Sequence, residues 1–212
     1  VIDPARPSAE LPGENWQLQK EFSDLEATAE FAHALAGELR SGDLVVLTGG
    51  LGAGKTTFTR ALAHALGVRG QVSSPTFTMS RIHASAGGDA PRLVHVDAYR
   101  TDAAGLESLD LLSTLDDSVT VVEWGRGLVE RALVGDSGSW LDLELGQPPV
   151  SSVRPGAGAG SEESSGGGPV IETDFSESEG DILGSPRQAV LRGYGARWAT
   201  VPQVLDRLNR RR

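Results

Sequence analysis

The chain has 212 residues, a net charge of −10 and no cysteine. That length suits one ordinary domain with a real core and an appendage, and the missing cysteine excludes disulfides, thiolate zinc sites and cysteine nucleophiles. The acidic balance argues against sequence-independent attraction to a nucleic acid backbone, which needs clustered Lys and Arg. No apolar run reaches the length of a membrane-crossing helix and the N-terminus lacks a secretion-signal pattern, so a soluble, cytoplasmic chain is expected.

Residues 1–15 are rich in Pro, Ser and Glu and read as a flexible leader, with order expected from Trp16. Ser23 and Glu26 have capping-box spacing with Phe22 at the staple position. Leu25, Thr28, Ala32, Leu35 and Leu39 form one apolar stripe, predicting a helix over 24–39. Leu44-Val45-Val46-Leu47-Thr48 is a continuous apolar, β-branched run, as in a strand buried on both faces. It stops at Gly49-Gly50-Leu51-Gly52-Ala53-Gly54-Lys55-Thr56, which fits G-x-x-x-x-G-K-[ST] at every fixed position. Glycines let such a backbone turn tightly and aim several N–H groups at a polyphosphate, and the following helix presents its positive dipole end to the same anion. Phe58, Leu62, Ala65 and Leu66 then recur at helical spacing, with Gly67 as the stop signal. Strand, glycine loop and helix in that order are the context this motif requires.

The segment Val72-Ser73-Ser74-Pro75-Thr76-Phe77-Thr78 is β-prone but broken by Pro75, and reads as a loop leading into a strand over 77–82. Arg92-Leu93-Val94-His95-Val96-Asp97 and Val119-Thr120-Val121-Val122-Glu123 read as strands whose acidic ends lie at the carboxyl edge of a sheet, where open α/β folds bind ligands. Residues 103–115 are predicted helical around Leu106, Leu109 and Leu112. Trp140-Leu141-Asp142-Leu143-Glu144-Leu145 alternates like a strand with one wet face. Residues 147–186 are dominated by Gly, Ser, Pro and acidic side chains, seven carboxylates against Arg154 alone, and read as a disordered insertion. Gln188-Ala189-Val190-Leu191-Arg192 resumes a strand, which pairs most economically antiparallel with 141–145, and 201–210 is a terminal helix burying Leu205 and Leu208. The expected organisation is a leader at 1–15, an ATPase domain at 16–146, an insertion at 147–186 and a completing strand and helix at 187–212. The fold class is α/β, a P-loop NTPase-like mixed and mainly parallel sheet flanked by helices, with an antiparallel edge.

In this reading Gly49, Gly52, Ala53, Gly54, Lys55, Thr56 and Thr57 wrap the phosphates, Lys55 reaches the β/γ oxygens and Thr56 ligates Mg²⁺. A phosphate loop also needs a carboxylate to hold the metal, directly or through water, and Asp97 and Glu123 are the two candidates. Ser74-Pro75-Thr76 is the best candidate for a loop that senses the γ-phosphate. The guanine-reading N-K-x-D element of GTPases is absent, so ATP is preferred over GTP. Arg100 and Arg126 are candidates for positive charge at the transition state or for simple solvated arginines. Trp124 either stacks on a base or packs at the rim.

Together the segments 49–57, Ser74-Pro75-Thr76-Phe77, His95-Val96-Asp97-Ala98-Tyr99-Arg100 and Val122-Glu123-Trp124 resemble the bacterial TsaE family of tRNA threonylcarbamoyladenosine biosynthesis ATPases, over about residues 22–145 with a weaker echo at 189–198. The resemblance implies a small Mg²⁺-dependent ATPase working with two partner proteins of the sugar-kinase-like fold. Their joint product is a threonylcarbamoyl group on the adenosine beside the anticodon, with tRNA contacted indirectly. The ATPase is then not the transferase; its hydrolysis is weak alone and resets the complex. By motif, Lys55 binds phosphates, Thr56 and Glu123 hold Mg²⁺, Asp97 lies at the γ-phosphate side, Ser74, Pro75 and Thr76 form a switch-like loop, and Thr28 falls near the nucleotide base. Gly50, Gly125 and the acidic insertion depart from the family pattern. Two other readings remain open from the sequence: a P-loop kinase acting on a small molecule, and a non-catalytic nucleotide-dependent assembly factor.

Overall fold

The structure, a computed structural model, describes residues 13–75, 78–87, 90–148 and 186–210. Most of the expected leader, Thr76 of the candidate switch loop and nearly all of the acidic insertion lie outside the described residues. In chain order the elements are β1 (Glu14–Phe22), α1 (Leu25–Ala36), β2 (Leu44–Thr48), α2 (Lys55–Ala65), β3 (Ser80–His83), β4 (Arg92–Asp97), α3 (Ala103–Ser108), α4 (Leu112–Leu115), β5 (Ser118–Glu123), α5 (Val129–Val134), β6 (Trp140–Gly146), β7 (Arg187–Tyr194), a 3₁₀ turn (Ala196–Trp198) and α6 (Gln203–Arg210). The strands form one sheet in the order β1-β7-β6-β2-β5-β4-β3. Its centre, β6-β2-β5-β4, is parallel; β3 joins one side antiparallel, and β7 and β1 extend the other antiparallel.

The parallel centre explains the unbroken apolar runs of β2, β4 and β5, because both sheet faces are covered. On one face Val45, Leu47, Leu93, Val121, Leu141 and Leu143 pack with Phe31, Leu35, Phe58 and Leu62 of α1 and α2. Phe22, Phe31 and Phe58 form an aromatic knot there, with ring centroids 5.3 to 6.5 Å apart, which seats α2 on the sheet. On the other face Leu44, Val46, Val94, Val96 and Val122 pack with Leu106, Leu111 and Val129. Among the described residues no helix is long and apolar enough to cross a membrane.

Several local expectations are corrected. Strand β1 begins at Glu14, before the expected start of order, and pairs with β7 along its length. Asp24, not Ser23, caps α1: its Oδ1 accepts from the Ala27 N–H at 2.8 Å, while the Ser23 hydroxyl donates to the same carboxylate at 2.9 Å. The carboxylate is the stronger acceptor and an anion suits the positive helix end. Helix α1 stops at Ala36, short of Leu39, which nonetheless stays buried in the turn that follows. The single helix expected over 103–115 is broken in two, because Asp110 adopts φ 48°; the break shifts the phase so that Leu111 is buried and Leu112 is exposed. Strand β3 starts at Ser80, after Met79 at φ 60°; the expected start at 77 lies outside the described residues, and 78 and 79 are not in the strand.

The expected wet face of β6 is covered. Asp142 is fully buried and accepts from the Thr48 hydroxyl at 3.1 Å, with Arg126 at 3.2 Å and Arg192 at 3.3 Å. Both arginines also reach Glu144, at 3.2 and 2.8 Å. Arg126 is thereby committed to a structural cluster rather than projecting toward a reaction centre. Burial raises the Asp142 carboxyl above its usual range, with Arg126 the largest opposing influence. Replacing Asp142 by Ala removes the fully buried carboxylate between two largely buried guanidinium groups, leaving Glu144 to both and Glu14 to Arg192, so a loss of about 3 kcal/mol in urea unfolding is expected.

Candidate nucleotide-binding site

Strand β2 ends at Thr48, and the backbone turns through Gly49 at φ 144°. A Cβ on Gly49 would collide with the Leu145 carbonyl of β6, so this first turn of the loop demands glycine. Gly54 at φ 96° occupies the cap position of α2, which has no side-chain cap hydrogen bond. A helix start of this kind, behind a glycine loop, is suited to an anionic ligand. Ala53 and Lys55 are buried, Gly54, Thr56 and Thr57 half-buried, and Gly52 exposed. Gly50 has room for a side chain, whereas a Cβ on Gly125 would press on Val122 and Val129, at 2.7 and 2.9 Å.

Lys55 folds back over its own loop. Its Nζ donates to the carbonyls of Gly49 and Gly50, both at 2.8 Å, and lies 3.5 Å from the centroid of the Trp124 ring. Burial pushes the ammonium down to about 8, against the opposing influence of the Glu123 and Asp97 carboxylates. Trp124 adopts φ 64° and its ring also leans on Tyr99, with centroids 5.1 Å apart. The indole face is therefore engaged with the lysine cation and the tyrosine.

The parallel register of β4 and β5 sets Asp97 opposite Glu123, at the carboxyl edge of the sheet. The Thr56 hydroxyl lies 3.1 and 3.2 Å from the two Glu123 oxygens. Asp97 Oδ1 accepts from the Tyr99 N–H at 3.0 Å, and its Oδ2 is 3.4 Å from the Ser74 hydroxyl. The backbone joins the same elements: Asp97 N–H donates to Met79 O at 2.9 Å, and Pro75 O accepts from the N–H groups of Thr78 and Met79 at 3.0 and 2.7 Å. Lys55, Thr56, Asp97, Glu123, Trp124, Ser74 and Pro75 thus converge on one end of the sheet. Thr28 sits on α1 with its hydroxyl donating to Asp24 O at 3.0 Å.

The residues present fit Mg²⁺ by their chemistry. A threonine hydroxyl and a carboxylate side by side, with a second carboxylate across the strand pair, are hard oxygen donors. Among the described residues no group of three or more His, Cys, Asp or Glu encloses a metal position. A cation here would draw its remaining ligands from phosphate and water.

His95 escaped sequence reasoning as a site residue. It is fully buried, and its Nε2 lies 2.8 Å from Glu123 Oε1. The available signal was a lone histidine inside an apolar strand, two residues before the terminal carboxylate and so on the same face.

The family profile described as "Threonylcarbamoyl adenosine biosynthesis protein TsaE" matches residues 22–147. The chain is 59% identical over 104 residues to the tRNA threonylcarbamoyladenosine biosynthesis protein TsaE of Streptomyces coelicolor, covering 48% of this chain and 70% of that protein. It is 45% identical over 137 residues to the protein of the same name from Mycobacterium bovis, covering 61% of this chain and 79% of that one. Among solved structures, Bacillus subtilis YdiB matches with a TM-score of 0.56 at 25% identity, over 92% of this chain and 95% of that one. That likeness agrees with the mixed sheet and parallel core described above. The chain belongs to the TsaE family of threonylcarbamoyl adenosine biosynthesis proteins.

Proposed function

We propose that this protein binds and hydrolyses ATP with Mg²⁺ as the nucleotide-driven subunit of a tRNA-modifying assembly. The assembly installs threonylcarbamoyl on the adenosine beside the anticodon, and the protein acts in it with two partner proteins of the sugar-kinase-like fold. The observation that carries the reading is the convergence of Lys55, Thr56 and Glu123 at the glycine-loop end of β2, with Thr56 Oγ1 at 3.1 Å from Glu123. Bound Mg²⁺ would be held by Thr56 and Glu123 and would supply charge neutralisation at the phosphate oxygens. Loop amides and Lys55 would bind and orient the triphosphate, while Asp97 and the Ser74-Pro75 segment beside it would position an attacking water. Trp124 walls one side of the lysine and is itself backed by Tyr99. Proteins of this kind are expected in the cytoplasm with their tRNA substrate.

Phosphate release should be weak for the chain alone and rise when both partners and tRNA are present. Transfer of phosphate to a small molecule in place of release would support a kinase instead, and nucleotide-dependent partner capture without any release would support an assembly factor.

The lysine also predicts a pH dependence. Triphosphate charge favours the ammonium form, so binding raises a pKa that lies near 8 in the free protein. Above pH 8 binding takes up a proton and affinity falls, approaching about tenfold per pH unit, while below about pH 7 both effects vanish. Calorimetry in two buffers of different ionisation enthalpy reads the proton uptake directly.

A further inference from the structure

We propose that His95 is a positioning residue for Glu123, holding that carboxylate in the orientation in which its other oxygen faces the metal. The inference rests on the ATP and Mg²⁺ reading and adds a residue to it. Position 95 is fully buried in β4 on the face it shares with Leu93 and Asp97, with Val121 of β5 and Arg81 of β3 as its register partners. A leucine would suit such a strand better, because the imidazole brings two polar atoms into the core. Only one of them is satisfied: Nε2 meets Glu123 Oε1 at 2.8 Å, while Nδ1 is buried with no hydrogen-bond partner. Buried polar groups that cost stability persist where they do something else.

The direction of the bond follows from the same atoms. An ionised Glu123 can only accept, so Nε2 carries the hydrogen and donates. Nδ1 has no acceptor in reach, so the hydrogen bond of this ring is the one to Glu123. His95 engages Oε1 alone among the described residues, whereas Thr56 lies within reach of both oxygens. The imidazole therefore grips the carboxylate from the strand side and Thr56 meets it from the α2 side. Oε2 is left with the greater capacity to face a cation. Glutamate has three rotatable bonds, and a ligand carboxylate not held by an outer hydrogen bond loses metal affinity, typically 10–100-fold.

The test measures Mn²⁺ affinity by electron paramagnetic resonance, in the presence of a non-hydrolysable ATP analogue, for the full chain and for His95→Leu and His95→Gln. Metal-free nucleotide affinity and the circular dichroism spectrum are recorded for each. The expected result is a folded His95→Leu protein with metal affinity reduced about 10–100-fold, metal-free nucleotide affinity unchanged, and substantial recovery in His95→Gln, whose amide nitrogen can donate to the same oxygen. Unchanged metal affinity in His95→Leu overturns the inference, as does an equal loss in both variants with their fold intact. Should the variants not fold, nitrogen NMR of the wild-type imidazole decides: an Nε2–H tautomer supports the assignment and an Nδ1–H tautomer contradicts it. Failure of the wild-type protein itself to bind the metal–nucleotide pair would instead count against the ATP reading, so the two failures are distinguishable.

Discussion

Lys55→Ala is expected to reduce ATP affinity and phosphate release at least about 100-fold, or ~2.7 kcal/mol of lost interaction. The ammonium donates to the loop carbonyls of both Gly49 and Gly50, which places it at the phosphate loop itself. The fold should survive the change. Its pKa of about 8 lies below the ordinary lysine value, so the folded protein binds this proton less tightly than the unfolded chain. The buried charge is a net burden below pH 8, relieved as pH rises toward about 10.4. Removing it leaves stability at neutral pH within about 1 kcal/mol of the parent or above it. Urea unfolding alongside equilibrium nucleotide titration separates the two effects, and normal binding by a folded Lys55→Ala protein would contradict the role.

Glu123→Gln is expected to abolish the magnesium dependence of hydrolysis and lower the rate about 100-fold, while leaving metal-free nucleotide affinity within about threefold. The amide keeps the size and one acceptor for Thr56 or His95, but loses the charge that a hard cation requires. Removing a carboxylate from beside the triphosphate also lessens repulsion, so metal-free binding should not weaken. A magnesium titration of phosphate release reads this. A variant with the parent's metal dependence would move the metal role from Glu123 to Asp97, its register partner across the strand pair.

The central strands and the placing of their terminal carboxylates were legible because each is encoded locally. The β2 run, the glycine loop and the α2 stripe are contiguous, and the apolar runs of β4 and β5 end at the carboxylates that the sheet then sets side by side. The antiparallel partnership of β6 and β7 was also legible, because the intervening sequence is rich in Gly, Ser, Pro and acidic residues and carries no strand-like apolar pattern of its own. Strand β1 was not. Trp16, Leu18 and Phe22 do alternate, but Lys20 interrupts the pattern, and its partner strand β7 lies far along the chain. The lysine resolves its own conflict by donating to Leu208 O at 3.0 Å, which ties α6 to the sheet edge. Asp142 misled for the opposite reason: alternation alone marks it as solvent-facing, and the convergence of Arg126, Arg192 and the Thr48 hydroxyl from three other segments makes its burial tolerable. His95 belongs to the same class, a polar residue whose partner is set by strand register rather than by sequence neighbours.

Isothermal titration of the full chain with ATP and magnesium tests the central claim most directly. Saturable heat at a one-to-one ratio, dependent on magnesium for full strength and absent from Lys55→Ala, is the predicted result. No heat from any adenine nucleotide, or the same heat in wild type and Lys55→Ala, would contradict it.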